Sequence, residues 1–164
     1  MEKLVPLLEK QTAIILANIE TTLDAVEEGR MDADGRWNWP IRDQFFHLLH
    51  SMDQWFINPY DYRDTFSVGT ASLAVNVEER RISKKQLREY FAAVKGRIVG
   101  YLRSLDDSSL AGAPAGCPFT RIELILGQFR HAMYHVGLIH GCLRSETGHS
   151  PDYLGLSSPV PPRV

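Results

Sequence analysis

GQFRHAMYHVGLIHG, residues Gly127–Gly141, sets three histidines into a largely apolar run. Read as a helix turning about 100° per residue, it gathers Leu124, Gly127, Gln128, His131, Tyr134, His135, Leu138 and Cys142 on one stripe. Ile122, Phe129, Met133, Val136 and Ile139 cover other faces. A helix that is apolar on most sides is buried on most sides, so the stretch predicts a core helix in a helical domain. His131 and His135, at i and i+4, stack on one face and point inward. His140 lies roughly 180° from His131 and does not share that face.

The flanking residues supply the ends of this helix and the elements it packs against. Thr120 and Glu123 have capping-box spacing at its start, and Gly148 is its stop after Arg144 or Thr147. Ser83 and Gln86 form a second capping box, after which Leu87, Phe91, Val94, Ile98, Tyr101, Leu102 and Leu105 mark one face as far as Asp106. Leu4, Leu8, Ile15, Ile19, Leu23 and Val26 predict a first helix over 2–28, with Pro6 tolerated in its first turns. WPIRDQFFHLLHSMDQWFIN, Trp39 to Asn58, predicts another, with Pro40 in its first turn, Asn38 as a cap and a stop near Asn58-Pro59.

Between these segments, GRMDADGRWNWP and DDSSLAGAPAGCP are turn-rich linkers, and a short extended piece is expected at Ser72–Val77. The tail, 149–164, carries four prolines and reads as irregular. Four long helical segments with little strand signal predict a single all-α domain over 1–164, a four-helix bundle.

Composition narrows the function classes. With 44% hydrophobic and 23% charged residues the chain reads as an ordinary soluble domain, and a net charge of −2 gives no basic footprint for nucleic acid. No window approaches the roughly 18 uninterrupted apolar residues of a membrane span, and the N-terminus lacks the features of a secretory signal. Cys117 and Cys142 make neither a disulfide framework nor a CxxC pair, and read as small buried hydrophobes. The expected setting is cytoplasmic, with a small-molecule substrate and neither nucleic acid nor membrane as partner. Apolar residues around much of helices two and four, including Phe45, Phe46, Leu49, Trp55 and Phe56, suggest a homodimer.

An HxxxH pair does not by itself specify a metal. Ala132 follows His131, so the general-base glutamate of HExxH zinc proteases is missing. A third ligand must come from another helix, and FHLLHSMD offers His47, His50 and Asp53. Bundles build metal sites in this way, from facing helices.

WPIRDQFFHLLHSMDQWF together with GQFRHAMYHVGLIHGCLR resembles the DinB-like/YfiT-like metalloenzyme superfamily. Trp39, His47, Asp53 and Trp55 match its helix-two motif, and His131, His135, Val136 and Gly137 match its last-helix motif. Leu138 departs from it, standing where the family often has glutamine. The resemblance implies an up-down-down-up bundle with one divalent ion held by His47, His131 and His135. His50 is the alternative to His47, and Asp53 is a candidate to orient a ligand imidazole from outside the ligand set. Tyr134 is either a hydrogen-bond donor near the site or a packed aromatic. Arg42, Arg121 and Arg130 flank the motifs and are candidates for an acidic cofactor only by that position.

Three imidazoles leave a zinc ion one open position, and an ion there lowers the pKa of water or a thiol. Imidazole also suits nickel, copper or iron. The resemblance implies an enzyme that activates a low-molecular-weight thiol for transfer to an electrophile. Metal-dependent hydrolysis and a non-catalytic metal-binding stress protein are the alternatives.

Overall fold

The computed structural model describes residues 3–32, 39–63 and 82–158. They form four long helices: α1 (Leu4–Ala25), α2 (Ile41–Trp55), α3 (Lys84–Ser104) and α4 (Arg121–Thr147). Single 3-10 turns stand at Glu28–Arg30 and Pro59–Asp61, and there is no strand among the described residues. The architecture is a helical bundle, as the periodicity predicts. The expected extended piece at Ser72–Val77 lies outside the described residues, as does Asn38.

Each helix starts for an identifiable reason. Ser83 accepts from the Gln86 backbone N–H while the Gln86 side chain reaches back to the Ser83 backbone, and Thr120 and Glu123 repeat the arrangement at α4. Pro40 sits at the N-cap of α2 rather than inside its first turn, and the Gln44 side chain donates to the Trp39 carbonyl at 2.8 Å. α1 has no cap of its own. The Asp107 carboxylate accepts from the Leu4 and Val5 backbone N–H groups, at 3.0 and 2.9 Å, and caps the helix from the loop after α3.

The ends fall short of the expected limits. α1 stops at Ala25, where Val26 turns extended. Glu27 and Glu28 would oppose the negative end of the helix dipole, and Lys84 instead donates to the terminal carbonyls of Asp24 and Val26. α2 stops at Trp55, and the Asn58 side chain caps the next 3-10 turn by accepting from Tyr60 N. α3 ends at Ser104, and Asp106 accepts from Ser108 and Ser109 in the following turn. α4 ends as expected, with Gly148 in the left-handed region at φ 77°.

α4 packs against α1 and α2, and α3 packs against the same two helices. One continuous core joins all four, with Ile19, Leu23, Phe45, Phe56, Leu87, Tyr90 and Ile98 among its fully buried members. Phe45, Leu49 and Phe56 are buried within the single chain, whereas Phe46 is half-buried and Trp55 is exposed. Leu4, Leu7, Phe119, Leu126 and Tyr134 remain exposed. The tail is irregular as far as Ser158, but it is not free: the buried Asn18 amide both donates to and accepts from the Leu154 backbone, at 2.9 Å each way. No helix among the described residues is long and apolar enough to cross a membrane.

The buried stripe of α4 is rotated from the expected one. Leu124, Gln128, His135 and Cys142 are buried as predicted, but Ile125, Ala132, Val136, Ile139 and Leu143 share the interior. Tyr134 points outward and is 62% exposed. The stripe drawn through the histidines takes in one edge of the buried face. The centre of that face follows the buried aliphatic side chains Ile125, Val136, Ile139 and Leu143.

Candidate metal centre

α2 and α4 cross with His47 facing His131 and His135. The Nε2 atoms of His47 and His131 are 3.3 Å apart, and those of His131 and His135 are 3.0 Å apart. The three potential donor atoms all lie within 4.8 Å of one another, so the three residues could hold a metal ion. His135 is buried and the other two are half-buried.

Proton accounting tests the fit. A neutral imidazole nitrogen presents either a hydrogen or a lone pair, and His131 Nε2 faces two other ring nitrogens. It cannot make a good hydrogen bond to both. A cation accepts all three lone pairs at once. At about 2.0–2.1 Å from each nitrogen, a tetrahedral ion spaces its ligand atoms by about 3.3 Å. The two separations that involve His131 are of that size, and the third lies within 4.8 Å.

Burial lowers the pKa of all three imidazoles. At His135 desolvation is the main cause, with His131 and His47 adding like-charge repulsion, and the pKa falls to about 4. His131 is lowered by burial and then by His47, and His47 by burial and then by His50. The cluster is therefore neutral at pH 7, the state a ligand imidazole needs.

The outer ring nitrogens are unusual. Nδ1 of His131 and Nδ1 of His135 are buried without a hydrogen-bond partner among the described residues. Ligand imidazoles are commonly oriented through that nitrogen by a carboxylate or carbonyl. Packing takes that role here. The Trp39 indole stands edge-on to both His47 and His135, with centroids 5.4 Å away in each case, and Tyr134 meets the His135 ring edge-on at 5.2 Å. Trp39 lies in the stretch that carries the sequence resemblance, but nothing in its spacing assigns it this role. It lies eight residues before His47 and outside α2, so helical periodicity does not describe it.

The other candidates lie elsewhere. His50 is not in the cluster. Its ring stacks on Phe46 and stands edge-on to Tyr62, and its Nδ1 is 3.5 Å from the Tyr90 hydroxyl. Asp53 makes no hydrogen bond to Nδ1 of His131 or His135, which have no partner among the described residues. Its buried carboxylate accepts from the Tyr62 and Tyr90 hydroxyls, at 2.8 and 3.3 Å, and pairs with Arg97 of α3. Six residues after His47, Asp53 faces α3.

His140 meets Thr22 of α1, with Nε2 2.8 Å from the hydroxyl, and takes no part in the cluster. Arg42 is a buried structural residue, paired with Asp32 and donating to the Ile82 carbonyl. Arg121 donates to the Gly112 carbonyl, and Arg130 is exposed. Cys142 and Cys117 are buried and free.

A groove of about 670 Å³ between α1 and α3 is bordered by the Asp24–Arg88 and Glu20–Lys95 ion pairs. It shares no lining residue with the histidines. No family model, curated protein or solved structure matches the chain.

Proposed function

We propose that this chain is a divalent-metal-dependent enzyme of the DinB-like/YfiT-like type, in which His47, His131 and His135 hold the ion and a low-molecular-weight thiol is activated for transfer to an electrophile. The observation that carries the metal reading is the convergence of three neutral Nε2 atoms from two helices, at 3.0 and 3.3 Å. The thiol reading comes from the motif resemblance. An ion at this position supplies Lewis acidity that brings a thiol or water to reactivity near neutral pH.

The chain's own residues do the rest. Burial keeps the imidazoles unprotonated, so their lone pairs are available. Trp39 shields the His47–His135 side of the cluster from water. The Asp53–Arg97 pair ties α2 to α3 and fixes the helix that carries His47.

The same reading takes the bundle as up-down-down-up. Supporting it, the pairs Asp24–Arg88 and Glu20–Lys95 advance along α1 as they recede along α3. Ser51–Gln128 and His47–His131 do the same for α2 and α4, whereas His50–Tyr90 and Asp53–Arg97 advance together along α2 and α3.

The test is elemental analysis of the purified protein combined with thiol-dependent consumption of monochlorobimane. Stoichiometric metal and a chelator-sensitive reaction that requires thiol support the proposal. Turnover of an ester without thiol favours hydrolysis, and bound metal with no turnover of either kind favours a binding role.

A further inference from the structure

We infer that Gln44 is a positioning residue of the three-histidine centre: its side-chain amide holds Trp39 so that the indole packs on His47 and His135, and it serves metal affinity and not stability. The inference rests on the reading of His47, His131 and His135 as holding an ion.

Gln44 lies in the first turns of α2 and is only 1% exposed. Its Nε2 donates to the Trp39 carbonyl at 2.8 Å. Its Oε1 is buried without a hydrogen-bond partner among the described residues. This half-used amide does not cap the helix. The start of a helix leaves N–H groups in need of acceptors, whereas Gln44 gives Trp39 a donor. The N–H groups of Arg42, Asp43 and Gln44 already donate to the Met31 and Pro40 carbonyls. Nor does the amide favour stability, because a buried acceptor left unpaired costs at least as much as one neutral hydrogen bond contributes.

What the bond does reach is the histidine cluster. Trp39 lies outside α2, and its indole stands edge-on to His47 and to His135, with centroids 5.4 Å away in each case. His47 follows Gln44 by about one turn on the same helix. The bond therefore ties the Trp39 backbone to the helix that carries one ligand, while the indole meets the ring of another on α4. An imidazole that binds a cation through Nε2 carries its proton on Nδ1, and Nδ1 of His135 has no partner among the described residues. With no hydrogen bond there to set the angle of that ring, its packing partner sets it, and Gln44 holds the packing partner.

The probe is the full chain titrated with cobalt(II), read by its visible spectrum against a competing chelator. Gln44→Met keeps the length of the side chain and removes both the donor and the unpaired acceptor. Cobalt affinity should fall about tenfold or more, the range for loss of a residue that orients a metal ligand. The melting temperature of the metal-free chain should stay the same or rise. In a Trp39→Ala background the same substitution should change cobalt affinity by less than about twofold, since the indole through which it acts is gone. Unchanged affinity in Gln44→Met, or an equal loss in both backgrounds, overturns the inference and leaves the histidine reading standing. A metal-free melt lowered by several degrees also overturns it, because the side chain is then structural. Failure of both Gln44→Met and Gln44→Leu to fold has the same meaning. Failure of the unaltered chain to bind cobalt overturns the histidine reading, and this inference with it.

Discussion

The Trp39 indole stands edge-on to the His135 imidazole with ring centroids 5.4 Å apart, and that ring's Nδ1 has no hydrogen-bond partner among the described residues. Packing, not a carboxylate, holds this imidazole. Trp39→Ala should therefore weaken metal binding about 10- to 100-fold, the range for loss of an outer-shell partner, with little change in helix content. Copper(II) should quench tryptophan fluorescence, and Trp39→Phe should remove more of that quench than Trp55→Phe. Equal quenching in both variants contradicts the placement of the indole.

His47→Ala, His131→Ala and His135→Ala should each lower metal affinity by more than about a hundredfold, beyond the effect of an outer-shell residue. His50→Ala, His140→Ala and His149→Ala should keep stoichiometric metal. Dialysis followed by elemental analysis separates the two groups. Metal lost from His50→Ala but kept in His47→Ala reverses the assignment on α2.

His135 sets a pH dependence for the metal-free chain. Its folded pKa, about 4, lies below the ordinary histidine value of 6.5. Between those pH values the unfolded chain binds a proton that the folded chain refuses, so stability falls as pH drops from about 6.5 to 4. The loss from this one group approaches about 3 kcal/mol at the low end, and above 6.5 it contributes no slope. His47 and His131 shift in the same direction and add to it. Urea unfolding of the apo protein at pH 7, 5.5 and 4.5 measures the slope, which His135→Gln should reduce. A flat profile in the unaltered chain counts against the buried neutral cluster.

Metal removal should leave the bundle folded. The apolar core joins all four helices without passing through an ion. At a metal concentration a hundred times the dissociation constant the ion adds about 2.7 kcal/mol by mass action. Circular dichroism after chelation should show the same helix content and a cooperative melt several degrees lower. Collapse of the helical signal at 25 °C makes the ion part of the fold.

Asp53→Asn separates structure from site. It strips the partner from Arg97 and weakens the acceptor for Tyr62 and Tyr90. We expect about 2–4 kcal/mol of destabilisation, somewhat below a fully buried pair because Arg97 is one-third exposed. Metal content should not change. Loss of metal at full stability returns Asp53 to the histidine site.

What was readable in the sequence was short-range. The capping boxes at Ser83 and Thr120 and the stop at Gly148 are set by residues within one turn of each other, so a pattern of a few positions carries them. The histidine pair on α4 was visible by spacing, and the choice of His47 over His50 came from the motif. The role of Asp53 was not visible, because its partner Arg97 is 44 residues away and only the packing of α3 on α2 brings them together. The outward turn of Tyr134 escaped for a related reason. On a helix with apolar residues on most faces, the hydrophobic period does not say which edge meets the neighbours.

The cap that Asp107 places on α1 joins residues about a hundred positions apart in the chain. Closing so long a loop is entropically costly and happens only when other contacts have already drawn the ends together. The opening turn of α1 therefore orders after α3 has docked, not as a local nucleus. Its amide protons become a clock for final assembly: in refolding followed by pulsed hydrogen exchange, Leu4 and Val5 gain protection after the middle of their own helix, and Asp107→Ala abolishes that late step without touching the earlier one.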